Sequence, residues 1–172
     1  MLLRPAALKQ GDAVYILSTA RKITLDEIQP AIQAFESWGL KVIIGKTIGK
    51  EWRQFAGTDA ERKADFQTAL DDNTVKAIIC ARGGYGTVRM MDDLNYDEFM
   101  KNPKWVVGFS DITFLHVHIS NSIGILTLQG LMPFSFPKAT PVAIESLRNE
   151  LFGIRNTYEV APDPLNRTGT GK

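Results

Sequence analysis

Short apolar runs alternate with helix-spaced patterns along nearly the whole chain. Ala13–Leu17 is a compact apolar run and predicts a buried strand. From Leu25 to Trp38, the residues Ile28, Ile32, Phe35 and Trp38 fall three or four apart, as on one face of a helix, and Gly39 is placed to stop it. Lys41–Ile44 predicts a second strand. The stretch from Gly45 to Gly57 lacks a period and predicts a loop. Asp59–Leu70 predicts a helix with Thr58 as its N-cap and Phe66 and Leu70 on one face. Val75–Cys80 predicts a third strand, Val88–Leu94 a short helix and Trp105–Val107 a fourth strand. A helix from Ile112 to Ser120, a strand over Ile123–Leu128 and a helix over Ala143–Leu151 complete the pattern. Strand runs that are continuously apolar, with helices between them, predict a parallel sheet covered on both faces. The expected fold class is therefore α/β, a three-layer sandwich around a mainly parallel sheet.

The chain has 172 residues, 44% hydrophobic and 23% charged, which suits one well-buried core. The pattern predicts an ordered domain over residues 1–155. Residues 156–172, with Pro162, Pro164, Gly169 and Gly171 among polar neighbours, read as a linker toward a further domain. Twenty basic and 19 acidic residues leave a net charge of +1. That balance gives no electrostatic basis for binding nucleic acid or an anionic membrane. Met1–Pro5 lacks the charged and apolar regions of a signal peptide and no run reaches a membrane span, so the expected location is the cytoplasm. The single cysteine, Cys80, excludes an internal disulfide; at the end of an apolar strand it reads as a buried structural thiol. No acidic or histidine cluster has metal-ligand spacing, and no cofactor is expected.

Two turns concentrate the candidate chemistry. Ala81-Arg82-Gly83-Gly84-Tyr85-Gly86 follows the third predicted strand, and Gly108-Phe109-Ser110-Asp111-Ile112-Thr113 follows the fourth. A serine on a strand-to-helix turn is either a nucleophile facing free backbone amides or the N-cap of the next helix, and spacing alone favours the cap. The glycines fit a tight turn, an anion-binding helix start, or an open amide facing Ser110. Turns after two strands of one parallel sheet share an edge, which is where such folds place ligands. Arg82 reads as a carboxylate anchor or a solvated charge. The two histidines, His116 and His118, lie roughly 9 and 12 Å along a helix axis from Ser110, too far to act as its base.

Taken together, these motifs resemble the LD-carboxypeptidases, serine peptidases that include the microcin C self-immunity peptidases. The resemblance rests on Ala56-Gly57-Thr58-Asp59 with Arg62 and Asp65, on Ala81–Gly86, on Asn102-Pro103-Lys104 and on Gly108–Thr113, in the family's order and spacing. It departs from the family pattern at Leu17-Ser18-Thr19-Ala20 and at Gln129-Gly130-Leu131. The resemblance implies a flavodoxin-like domain of the class I glutamine-amidotransferase type. It makes Ser110 the nucleophile, with the amides of Gly84 and Asp111 as the oxyanion hole and Arg82, Gly83 and Tyr85 at the substrate. It further implies a C-terminal domain that supplies a glutamate and a histidine, and a homodimeric intact enzyme. The implied substrate is a peptide ending in a D-amino acid, as in murein tetrapeptide recycling, and a chain without the second domain is expected to be inactive. The rival expectation is a non-catalytic module that binds a small anion or nucleotide at the glycine turn.

Overall fold

Five strands pair in parallel: β1 (Ala13–Leu17), β2 (Lys41–Ile44), β3 (Val75–Cys80), β4 (Trp105–Gly108) and β5 (Leu128–Gln129). They are seen in a computed structural model that describes residues 2–158, 161–165 and 167. The strand order is β2-β1-β3-β4-β5. Successive side chains of a strand point to opposite faces, and both faces of this sheet are covered. Val14 and Ile16 of β1 pack with Ala77, Ile79 and Val107 beneath the buried face of α1 (Leu25–Ser37) and Leu147 and Leu151 of α5 (Pro141–Leu151). Tyr15 and Leu17 point the other way. They join Ile78, Cys80 and Val106 against Phe66, Ala69 and Leu70 of α2 (Asp59–Asp71), Phe99 of α3 (Asp97–Lys101) and Leu115 of α4 (Thr113–His118). The expected three-layer α/β/α sandwich is present, and among the described strands the sheet is wholly parallel.

Local chemistry fixes the two long helices. Thr58 and Glu61 form a reciprocal capping box at the start of α2, and Thr24 and Glu27 do the same for α1. The Glu61 carboxyl is held down at about 2, mainly by Lys50 and then by Thr58. Gly39, at φ +81°, ends α1 as the pattern predicts. Asp65 is buried and accepts four hydrogen bonds, from the Tyr15 hydroxyl, the Lys46 and Thr47 amides and the Thr47 hydroxyl. Thr47 Oγ1 in turn accepts from the Ser18 amide, so α2 holds the loop after β1 through Thr47.

Three expected segments differ. Val88–Leu94 is a short 3₁₀ turn (Thr87–Arg89) followed by irregular turns, with α3 beyond it. Met90 and Met91 are buried there as core fillers rather than as one helix face. Ile123–Leu128 is not a strand. The chain leaves α4 through a π turn (Ile119–Ile123), reverses at Gly124 (φ +79°), and pairs with β4 only at Leu128 and Gln129. Pro133–Lys138 forms a 3₁₀ turn that packs on α1, where Phe136 meets Phe35 edge to face. At the start of the expected linker, Asn156 donates to the Ser146 carbonyl of α5; residues 159–160, 166 and 168–172 lie outside the described residues.

Candidate active site

The sheet order reverses between β1 and β3, and open parallel sheets hold their ligands at the carboxyl ends of strands beside such a switch. Loops from β1, β3 and β4 meet there. The β4 loop carries Ser110, which is exposed and adopts φ +62°. A left-handed conformation costs a non-glycine residue about 1–2 kcal/mol, so the surrounding structure must enforce it. Phe109, not Ser110, holds the N-cap position of the short 3₁₀ turn (Ser110–Ile112), and no side chain caps that turn. The Ser110 hydroxyl has no hydrogen-bond partner among the described residues, so the capping alternative is not realised.

The glycine turn lies directly against this elbow. A Cβ on Gly83 would sit 3.4 Å from the Phe109 carbonyl oxygen and 3.5 Å from the Asp111 amide nitrogen. Among the described residues neither the Gly84 nor the Asp111 amide has a hydrogen-bond acceptor. The Asp111 carboxylate ties the two turns together, because its Oδ2 accepts from the Thr87 amide at 2.9 Å. Thr87 Oγ1 meets Thr19 Oγ1 at 2.8 Å, which extends the connection to the loop after β1. Cys80 lies behind this link, fully buried, and burial pushes its thiol up to about 12. Such a thiol is no nucleophile at neutral pH.

The remaining candidates surround the elbow. Tyr85 is exposed and tilts against Phe55, their ring centroids 6.3 Å apart. Gly86, at φ +140°, comes so close to Phe55 that a Cβ would stand 3.2 Å from its ring. Beneath lies a charged platform. The guanidinium of buried Arg62 sits 4.8 Å from the centre of the Phe55 ring and pairs with Asp59, which Arg89 also grips through two nitrogens. Arg89, and then Arg62, hold the Asp59 carboxyl below its ordinary range. This explains why Asp59 and Arg62 accompany the glycine turn in sequence: they support it from below. Arg82 is half-buried and engaged. Its Nη1 donates to the Lys22 carbonyl at 3.2 Å and its guanidinium stacks 4.3 Å from the Phe134 ring centre, with Glu27 at 3.9 Å.

His116 donates from Nε2 to the Gly108 carbonyl at 2.9 Å and makes no hydrogen bond to Ser110. His118 packs against the Tyr96 ring at 5.5 Å. The glycine turn opens onto the three residues Thr87–Arg89 rather than a helix, so it lacks the aligned amides of an anion-binding helix start. Among the described residues no acidic, cysteine or histidine group could hold a metal ion, and no helix is long and apolar enough to cross a membrane. Sequence reading missed Arg21, Thr19, Thr87 and Phe55, which come to the edge through tertiary contacts. The one local hint was Ser18-Thr19-Ala20-Arg21 at a strand end, in the position equivalent to the two glycine-bearing turns.

Comparison with known proteins gives the chain's family and fold relatives. A probable murein peptide carboxypeptidase of Bacillus subtilis is 37% identical over 172 residues, covering 98% of this chain and 54% of its own length. The murein tetrapeptide carboxypeptidase of Pseudomonas aeruginosa is 29% identical, covering 78% of this chain and 46% of its own. A structure of MccF in complex with glutamyl sulfamoyl guanosine superposes with a TM-score of 0.82 at 25% identity, over 94% of this chain and 51% of that one. A muramoyltetrapeptide carboxypeptidase from Oxalobacter formigenes gives 0.71 at 25% identity, over 80% of this chain and 47% of that one. The chain thus spans about half the length of the curated relatives it matches. Residues 14–130 match the family described as LD-carboxypeptidase N-terminal domain, and the chain belongs to that family.

Proposed function

We propose that this chain is the nucleophile-bearing half of a serine LD-carboxypeptidase that removes a terminal D-residue from a peptide such as a murein tetrapeptide. The observation that carries the reading is the left-handed, uncapped Ser110 placed against the glycine turn, with one uncommitted amide on each of the two turns, at Asp111 and at Gly84. In the reaction, Ser110 Oγ loses its proton to a base and attacks the carbonyl of the L-centre. The resulting oxyanion accepts hydrogen bonds from the Gly84 and Asp111 amides. Collapse breaks the C–N bond, and the base returns its proton to the departing D-amino acid. Water then cleaves the acyl-serine by the same route in reverse. Gly83 and Tyr85 line the approach, and Arg82 braces the turn through Lys22 and Phe134.

In this reading the base comes from outside the described residues, because His116 bonds the Gly108 carbonyl and His118 packs on the Tyr96 ring. The relatives' additional length is where a histidine and an orienting glutamate would come from, and the intact enzyme would work as a cytoplasmic homodimer. The test is D-alanine release by the complete gene product carrying this domain. Ser110→Ala lowers it by about 10³-fold or more while the unfolding midpoint stays near that of the parent. The 172-residue chain alone releases none at enzymatic rates. Substantial turnover by Ser110→Ala, or by the isolated chain, overturns the assignment.

A further inference from the structure

We infer that Arg21, on the loop after β1, is the anchor for the substrate's terminal carboxylate, and so the residue that makes this site release only a terminal residue. The inference rests on the carboxypeptidase reading above and adds a residue to it. Its side chain packs directly on the glycine turn: a Cβ on Gly84 would stand 2.7 Å from Arg21 Cδ and 3.0 Å from its Nε. Gly84, at φ +118°, therefore serves two purposes. It keeps an amide with no acceptor among the described residues and leaves room for the arginine stem.

Three arginines border this turn, and two are already engaged. Arg89 is bound to Asp59 through two nitrogens, and Arg82 is held by the Lys22 carbonyl and the Phe134 ring. Arg21 is exposed, and among the described residues its guanidinium has no hydrogen-bond, ion-pair or aromatic partner. Its backbone is nevertheless fixed. The Ser18 hydroxyl donates to the Arg21 carbonyl at 2.6 Å, Lys22 N donates to Gln54 O, Ala56 N donates to Ala20 O, and Arg21 bridges Phe55. A pinned backbone that presents an uncommitted planar fork is preorganised for a carboxylate, which arginine binds bidentately.

The reach agrees with the chemistry. In any peptide losing its last residue, the terminal carboxylate carbon lies only about 3–4 Å from the scissile carbonyl carbon. The cation that recognises it must therefore stand beside the oxyanion hole, and Arg21 is packed on Gly84. Arg82 runs instead toward Lys22 and Phe134.

The experiment compares an L,D-peptide ending in D-alanine with the same peptide closed as its C-terminal amide, using the complete gene product. The parent prefers the free carboxylate by about 10- to 100-fold in kcat/KM, the range expected for a charged hydrogen-bonded pair. Arg21→Gln collapses that preference toward unity, chiefly by raising KM for the carboxylate peptide, and Arg21→Lys restores part of it. A preference that survives Arg21→Gln, or one that collapses in Arg82→Gln instead, overturns the inference while leaving the enzyme reading intact. If the parent cleaves neither peptide, the carboxypeptidase reading fails, and this inference with it.

Discussion

The imidazole of His116 shows how one residue can support an elbow without touching its chemistry. Nε2 donates to the carbonyl of Gly108, which also accepts from the Gly130 amide at the β4–β5 join. Nδ1 is buried with no partner among the described residues. A second proton would place a charged N–H where nothing accepts it, so burial holds the His116 pKa below the ordinary histidine value, against the pull of the Gly108 carbonyl. In the window between that ordinary value of about 6.5 and the lower folded one, the unfolded chain binds a proton that the folded chain refuses. Stability therefore falls as pH drops through this window. Glutamine keeps an amide donor for Gly108 but does not titrate. His116→Gln is expected to flatten the decline in urea midpoint between about pH 7 and pH 5.5; an unchanged slope places the acid sensitivity elsewhere. Ser110, two residues beyond Gly108, carries the strain that this brace helps to hold.

Among the elements, those set by short-range chemistry were legible in the sequence. β1, α1, β2, α2, β3 and β4 each pair a compact apolar run or a helical stripe with a stop or a cap that uses adjacent residues, such as Thr58 with Glu61. The segments that differ are those whose shape depends on distant partners: Met90 and Met91 fill the core, and β5 is only as long as its pairing with β4. In the site, the glycine turn and Ser110 announce themselves by composition. Arg21 and the Thr19–Thr87 contact do not, because 68 positions of chain separate the two threonines. Lys104 lies between these cases. It stood out as part of a motif, and its reason is tertiary: fully buried, it donates to the carbonyls of Ala69, Leu70 and Asp72 at the end of α2. It thereby satisfies carbonyls that a helix terminus otherwise leaves open. Lys104→Met keeps the stem but removes all three donors, so about 3 kcal/mol of unfolding free energy should be lost. A urea-unfolding difference below about 1 kcal/mol would mean that other groups or water take over the capping.

At the scale of the whole molecule, the sheet order matters because it sets loops from three separate strands side by side. A hydrogen-bond relay then locks them: Thr19 after β1 meets Thr87 beyond the β3 glycine turn, and the Thr87 amide donates to Asp111 after β4. The two amides proposed to receive the oxyanion come from different loops, so their separation depends on this relay rather than on either turn alone. Preorganised donors contribute most when they need not move during the reaction, and a displacement near 1 Å is enough to reduce their effect. Thr87→Val preserves shape and the backbone amide but deletes the hydroxyl that meets Thr19, leaving that buried partner short of one hydrogen bond. The stability cost is about 1–2 kcal/mol, which leaves the domain folded. The catalytic cost should exceed what that suggests: kcat of the complete enzyme falls about 10-fold with KM nearly unchanged, as when an interaction made in the transition state is weakened. Parent-like kcat in a variant with the expected stability loss would show that each turn holds its own amide, and that the relay serves the fold alone.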